Sequence, residues 1–142
     1  MRFKDQGFLI VRNSFFKRIL SSDRGAIISV KGYNTKAEIS DSTFIKNSAL
    51  FGGLAYITHN ASASFFNCSF ISNFAIKSGL FYLIEANNFI IVNSTIIKNK
   101  GFANSILSAD DVPKIDIIGS KIASNYVLMN EFLNEIDFEE IL

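Results

Sequence analysis

The only histidine and three acidic residues of this chain recur at a single spacing. His59, Glu85, Asp111 and Asp137 follow one another at equal intervals along the sequence. If consecutive repeats stack as neighbouring strands, these side chains lie about 4.8 Å apart. Such spacing suits a bound cation, and it approaches the separation of the two carboxylates in retaining glycosidases. The candidate catalytic residues are therefore Glu85 and Asp111, and the candidate metal ligands are His59, Glu85 and Asp111.

The same residues also fit a plain solvated turn, because the segments around them are rich in Asn, Ala and Asp. The other reactive side chains offer no better site. Cys68 is the only cysteine, so the chain can form neither an internal disulfide nor a multi-Cys zinc site. With one His there is no Cys/His pair, and no sequence motif supports a serine triad. We favour the solvated turn and expect no cofactor.

Composition indicates one folded domain without a polyanion-binding charge. A chain of 142 residues holds at most one ordinary domain. Its 49% hydrophobic and 19% charged content is too apolar for intrinsic disorder. The formal net charge is +1, which argues against a nucleic-acid partner. No apolar run is long enough for a transmembrane segment, and the first residues lack the apolar core of a signal peptide.

The elements that must position these residues repeat along the chain. A block ending in Asn recurs about every 26 residues, a Gly-containing block follows it, and a short β-prone run precedes it. The Asn blocks are Asp41-Ser42-Thr43-Phe44-Ile45-Lys46-Asn47, Asn67-Cys68-Ser69-Phe70-Ile71-Ser72-Asn73, Asn93-Ser94-Thr95-Ile96-Ile97-Lys98-Asn99 and Gly119-Ser120-Lys121-Ile122-Ala123-Ser124-Asn125. A looser copy starts at Asn13, slightly more than one interval before the first block. Each repeat thus holds about three short β-prone runs between turn residues.

A repeat of this length and composition predicts an all-β parallel β-helix solenoid of about five coils. Helical solenoids need longer runs of 3.6 periodicity, leucine-rich repeats need their own Leu ladder, and a propeller blade needs about 40 residues. The predicted coils are residues 13–40, 41–66, 67–92, 93–118 and 119–142, in one segment spanning residues 1–142. Because neither end carries a recognisable cap, we expect a fragment of a longer solenoid.

Stacking turns each repeat position into a column, and the column composition predicts which side faces inward. Two apolar columns are predicted to form the core: residues 44, 70, 96 and 122, and residues 39, 65, 91 and 117. The column Asn47, Asn73, Asn99 and Asn125 is predicted to be an inward asparagine ladder, with each amide donating to the next and to the turn backbone. Turn asparagines with left-handed backbone are the alternative.

Small residues predict two further structural roles. Cys68 shares its column with serines and is expected to fill a tight inward slot. Gly25, Gly53 and Gly79 are expected to mark a corner that needs backbone angles open to glycine. Tyr56 and Tyr82 stack one coil apart; one face of their strand must point outward, and the sequence leaves open which. An outward aromatic strip could hold sugar rings or a partner protein.

Three Asn-x-Ser/Thr sequons, at Asn60, Asn67 and Asn93, would be glycan acceptors if the chain entered a eukaryotic secretory pathway. Asn67 and Asn93 share one column, which makes them accessible. The same position at a turn also accounts for asparagine there without any glycan.

The paired motifs resemble those of chlamydial polymorphic outer membrane protein repeats, which combine Phe-x-x-Asn with Gly-Gly-Ala-(Ile/Leu/Val). Here they read Phe44-Ile45-Lys46-Asn47 with Gly52-Gly53-Leu54-Ala55, and Phe70-Ile71-Ser72-Asn73 with Ser78-Gly79-Leu80-Phe81. Surface proteins of ciliated protists carry similar repeats, and the whole set resembles the right-handed, pectin-lyase-like β-helix superfamily. The resemblance covers residues 13–134.

This resemblance implies an adhesin-like segment of a larger cell-surface or secreted protein. Because the uniform columns are core or corner columns and the acidic column lies at a turn, we expect a structural segment without an active site. Its partners would be glycans, another protein or further coils of the same solenoid. Because members of the wider superfamily cleave polysaccharides, a carbohydrate-active or carbohydrate-binding protein is the alternative.

Overall fold

The computed structural model describes residues 1–4, 6–76, 79–104 and 106–128. Within them the chain forms short β-strands and almost no helix, and no helix there is long and apolar enough to cross a membrane. The strands are β1 (Arg2–Lys4), β2 (Phe8–Arg12), β3 (Phe15–Lys17), β4 (Leu20–Arg24), β5 (Ile28–Lys31), β6 (Lys36–Ser40), β7 (Thr43–Ile45), β8 (Ser48–Phe51), β9 (Ala55–Thr58), β10 (Ser62–Phe66), β11 (Ser69–Ile71), β12 (Phe74–Ala75), β13 (Phe81–Ile84), β14 (Asn88–Val92), β15 (Thr95–Ile97), β16 (Lys100–Gly101), β17 (Leu107–Asp110), β18 (Ile115–Ile118), β19 (Lys121–Ala123) and β20 (Tyr126–Val127).

Equivalent strands of successive coils pair in parallel and form four five-stranded sheets. Sheet A contains β1, β5, β9, β13 and β17, sheet B β2, β6, β10, β14 and β18, sheet C β3, β7, β11, β15 and β19, and sheet D β4, β8, β12, β16 and β20. Phe44 pairs with Phe70 and Phe70 with Ile96, so the sequence period is also the pairing register. The predicted parallel β-solenoid is confirmed, with about four turns of roughly 26 residues against the five predicted coils.

Each coil has four strands rather than the three predicted β-prone runs. The additional one belongs to sheet D, where β12 and β16 are only two residues long. β16 consists of Lys100 and Gly101, neither of which favours strands, so tertiary pairing rather than propensity makes this strand.

The looser spacing of the first repeat has two structural causes. Between Ser21 and Arg24 the pairing with β8 shifts by one residue, as in a β-bulge. The turn from sheet A to sheet B is also one residue longer in the first coil, where residues 32–35 take the place of residues 59–61. Neither insertion falls within a strand of sheet B or sheet C, so the two predicted apolar columns keep their phase.

The two predicted apolar columns form the part of the core that lies against sheets B and C, and inward residues of sheet A such as Val30, Ile57 and Leu83 complete it. Phe44, Phe70 and Ile96 are fully buried, as are Ile39, Phe65 and Ile91. The rings of Phe16, Phe44 and Phe70 stack along the axis, with centroids 4.9 and 5.2 Å apart and planes within 13°. Stacking one coil on the next therefore supplies aromatic contact as well as hydrogen bonds.

The last members of the two columns depart from the prediction. Ile122 is 47% exposed and Ile117 is 37% exposed, although both were expected to be buried. Each lies on the last described strand of its sheet, so within the described residues it has a neighbouring strand on one side only.

The corner glycines are explained differently from the prediction. Gly25 has φ +63° and aligns with Gly52 at φ +54°, so left-handed backbone is the reason for glycine there. Gly53 and Gly79 do not have positive φ. A Cβ on Gly53 would lie 2.6 Å from the Phe74 carbonyl oxygen, and one on Gly79 2.6 Å from the Ile106 carbonyl carbon. Close approach of the neighbouring backbone, rather than an unusual backbone angle, requires glycine at these two positions.

Candidate functional site

The acidic column predicted from the sequence lies at the corner between sheets A and B. His59, Glu85 and Asp111 directly follow β9, β13 and β17, and all three have left-handed backbone with φ of 56°, 50° and 49°. The Glu85 N–H donates to the Asp110 carbonyl at 2.8 Å, and the Asn60 N–H donates to the Glu85 carbonyl. These bonds fix one such residue per coil. Asp137, the fourth member, lies outside the described residues.

At this corner the side chains face solvent. His59, Glu85 and Asp111 are all exposed, and His59 Nδ1 lies 2.7 Å from the hydroxyl of its neighbour Thr58. Across residues 1–4, 6–76, 79–104 and 106–128, no three His, Cys, Asp or Glu side chains gather as a metal site would require. The three side chains therefore stand on solvated turns, as the favoured interpretation of the sequence expects.

The four asparagines form a ladder inside the solenoid. Asn73 Oδ1 accepts from both the backbone N–H and the side-chain Nδ2 of Asn47, each at 3.0 Å. Asn73 Nδ2 in turn donates to Asn99 Oδ1 at 3.0 Å and to the Phe44 carbonyl at 2.9 Å. Asn99 and Asn125 repeat this arrangement in the next coil. Buried amides thus satisfy the backbone groups that the turn leaves without strand partners.

The ladder stops in the first coil, where Ile19 replaces Asn. Its backbone N–H donates to Asn47 Oδ1 at 3.0 Å, so the accepting half of the pattern is retained. Asn47 Nδ2 still reaches back to the Phe16 carbonyl at 3.1 Å. All side chains of the ladder are therefore used by the fold itself.

A second ladder runs through the serine column, and the sequence alone did not indicate it. The hydroxyls of Ser42 and Ser94 donate to the carbonyls two residues earlier, and they accept from the backbone N–H one coil before. Cys68 takes the same place: its thiol donates to the Phe66 carbonyl at 3.3 Å. Burial raises the pKa of the Cys68 thiol, which opposes formation of a reactive thiolate. The recurring Ser-x-Phe or Ser-x-Ile alternation was the available signal.

Tyr56 and Tyr82 lie on the outer side of sheet A, which answers the question that the sequence left open, but Tyr56 is only 7% exposed and Tyr82 is half-buried. Ala55 and Phe81 point into the core, whereas Tyr56 and Tyr82 alternate with them on the outer face of sheet A. The rings of Tyr56 and Tyr82 lie 5.5 Å apart, and Phe51 stacks on Tyr82 at 6.0 Å.

Arg24 completes this outer aromatic cluster. Its guanidinium lies 5.2 Å from the Tyr56 ring and 5.7 Å from the Phe51 ring, and it donates to the Tyr56 hydroxyl at 3.2 Å. A shallow pocket of about 310 Å³ adjoins the cluster. Its other lining residues are Arg2, Asp23, Ser29 and Lys31. Arg24 and Phe51 were not expected here, because the bulge in β4 is what brings Arg24 over the rings.

The three sequon asparagines are exposed turn residues. Asn60, Asn67 and Asn93 have φ between 49° and 61°. The Asn67 amide donates to Asp41 at 2.7 Å across one coil. Both the accessibility and the turn role inferred from the sequence are therefore present.

No protein-family model matches this chain, and searches of curated proteins and of solved structures also returned no match. The fold class rests on the strand pairing itself, and any family of these repeats is a matter of proposal.

Proposed function

We propose that this chain is a non-enzymatic, structural or adhesin-like segment of a cell-surface or secreted protein. Its in-phase Phe-x-x-Asn and Gly-containing motifs support repeats of the chlamydial outer membrane protein and ciliate surface-protein type, within the pectin-lyase-like superfamily. The coils would act as a stiff spacer, with glycans, another protein or further coils as partners.

The observation that carries this proposal is how the uniform columns are used. The side-chain amides of the asparagine ladder and the hydroxyls of the serine column form hydrogen bonds between successive coils. The two apolar columns pack in the core together with the inward residues of sheet A. The acidic column, in contrast, is exposed on left-handed turns. Repetition in this sequence thus serves the fold, which is what a structural segment requires.

An activity assay tests the proposal against the enzymatic alternative. The chain would be incubated with polyuronides and neutral glycans, with and without calcium, and assayed for new reducing ends and unsaturated products. We expect none. Cleavage that is lost in Glu85→Gln or Asp111→Asn would instead establish a polysaccharide lyase or hydrolase. Exposed turn positions tolerate both substitutions, so loss of activity would not reflect unfolding.

A carbohydrate-binding role is the second candidate, and the outer aromatic cluster favours it. Sugar rings bind through their C–H faces to aromatic rings, while hydroxyls or carboxylates bind to polar side chains beside them. Tyr82 and Phe51 are half-buried and present part of such a surface beside Arg24, whereas Tyr56 is only 7% exposed and lies under the Arg24 guanidinium. Glycan-array binding that Tyr82→Ser abolishes would support this role. Serine occupies the same column at residue 108, so the substitution suits the strand.

A further inference from the structure

The charged residues are segregated around the solenoid although the chain is nearly neutral. We define the C–D face as the outer surface built by sheet C, the following turn and the first position of sheet D. Its segments are residues 15–20, 43–48, 69–74, 95–100 and 121–126. They contain six basic residues and no acidic one: Lys17, Arg18, Lys46, Lys98, Lys100 and Lys121, all exposed. The described acidic residues lie elsewhere: Asp23, Glu38, Asp41, Glu85, Asp110, Asp111 and Asp116.

The turn between sheets C and D holds three of these cations outward. Arg18, Lys46 and Lys98 share one column with φ of 55–56°. The N–H of Lys46 donates to the Ile71 carbonyl at 3.1 Å, and the N–H of Lys98 donates to the Ala123 carbonyl at 3.3 Å. Because the backbone is fixed by the next coil, the three basic side chains start from one column on the same face of the solenoid.

Large apolar side chains stand among these cations. Leu20 is 81% exposed, the highest value among the large hydrophobic side chains that the structure describes, and Phe15 is 65% exposed. Tyr126 is 45% exposed, with Lys100 Nζ 5.9 Å from its ring. Exposed large apolar side chains grouped on one surface mark interaction sites.

An apolar groove borders the same face. It has a volume of about 610 Å³ and runs along the outer side of sheet D, beside the basic turn. Its lining residues include Leu20, Leu50, Phe74 and Ile76. The bulge of β4 forms one wall, with Ser21 and Ser22 at the rim. A row of cations therefore lies next to a surface that can accept apolar groups.

We propose that the C–D face docks on an anionic lipid surface. Basic side chains attract the headgroups, and exposed apolar side chains enter the boundary between headgroups and acyl chains. A hydrated polyanion such as a nucleic acid or an acidic glycan would bind the cations but would offer no apolar contact to the exposed side chains of Leu20 and Phe15. The charge complementarity and the apolar groove together favour lipid. This proposal rests on different residues from the proposed function and does not depend on it.

The test measures sedimentation of the full chain with vesicles. One set contains phosphatidylcholine with phosphatidylserine, and the other contains phosphatidylcholine alone. We expect binding to the first set only, weakening as salt is raised. The chain's net charge of +1 is too small to produce such binding without the segregation.

Two double variants test whether vesicle binding depends on the lysines of the C–D face or on lysines of other faces, and each substitution introduces a residue that a neighbouring coil already has at that position. Lys46→Ser with Lys98→Ser introduces the residue that Ser72 and Ser124 already place in that column. At about fivefold per lysine, the partition coefficient should fall about 25-fold. The matched control, Lys31→Thr with Lys36→Ser, removes the same charge from other faces, using residues that Thr58 and Ser62 supply. It should retain most of the binding.

An apolar pair of variants tests the second half of the proposal. Leu20→Ser takes the residue that pairs with it in the next coil, Ser48, and should weaken vesicle binding severalfold. Ile10→Ser, exposed on sheet B and also matched in its column by Ser64, should not. The proposal is overturned if no vesicle binds, if both lysine double variants lose binding equally, or if the chain binds heparin or nucleic acid but not vesicles.

Discussion

Replacing Asn73 with alanine removes four hydrogen bonds from the interior of the solenoid. Asn73 Oδ1 accepts two from Asn47, and Asn73 Nδ2 donates one to the Phe44 carbonyl and one to Asn99 Oδ1. Each such bond contributes about 1 kcal/mol net. The substitution leaves the Asn47 backbone N–H without its acceptor, Asn73 Oδ1, and a buried donor without a partner costs about 1 to 3 kcal/mol. With this cost for the bond to the Asn47 N–H and about 1 kcal/mol for each of the other three bonds, we expect the free energy of unfolding to fall by about 4 to 6 kcal/mol.

Urea unfolding followed by far-UV circular dichroism measures this loss. Asn87→Ala is the matched control, because Asn87 is exposed and makes no side-chain hydrogen bond within the described part of the chain. Its effect should stay within about 0.5 kcal/mol. If Asn73→Ala were no more destabilising than Asn87→Ala, the ladder would contribute nothing to stability and the reasoning from its hydrogen bonds would be refuted.

Three further substitutions test the core, the corner and the buried thiol. Phe70→Ala should cost about 3 to 5 kcal/mol in urea unfolding, whereas Phe70→Ile, which matches Ile96 in the same column, should cost less than about 1.5 kcal/mol; equal losses would contradict the column model. Gly53→Ala should cost about 1 to 3 kcal/mol, because its Cβ would meet the Phe74 carbonyl, and unchanged melting would disprove that close approach. Burial raises the pKa of Cys68, so its contribution to stability is fully present below the ordinary thiol pKa and is lost as pH rises through the folded-state pKa. Cys68→Ser should abolish this alkaline loss in unfolding measured against pH; an identical pH profile in both proteins would contradict it.

Inward positions could be predicted from the sequence because each inward residue has its own equivalent as its neighbour. Phe44 lies against Phe70 in the next coil, so shape and polarity must match at intervals of one repeat. The asparagine column follows the same logic, since one amide supplies both the donor and the acceptor that the next one needs. A fixed period with uniform composition was therefore sufficient to place the core columns of sheets B and C, except for Ile117 and Ile122 on the last described strands, but not the inward face of sheet A.

Outer features could not be predicted, because they depend on where insertions fall. The aromatic cluster needs Arg24, and Arg24 reaches Tyr56 only through the β-bulge that begins after Ser21. The greater length of the first repeat does not say which turn or strand contains the extra residues. The strand formed by Phe74 and Ala75 was also missed, because two residues carry too little pattern to separate a strand from a turn.

The fold restricts the residue type at the inward columns, but it does not restrict the residue type to Lys or Arg at the basic turn between sheets C and D. Ser72 and Ser124 adopt the same left-handed backbone as Lys46 and Lys98, so the turn itself does not require a cation. Lysine is also a poor choice for a left-handed position compared with Asn, Asp or Gly. A charge that the fold neither needs nor favours, placed on a face without described acidic residues, is better explained by something that binds there than by stability. The composition of the interior columns therefore follows from the fold, whereas the lysines of the basic turn support the proposed docking of the C–D face.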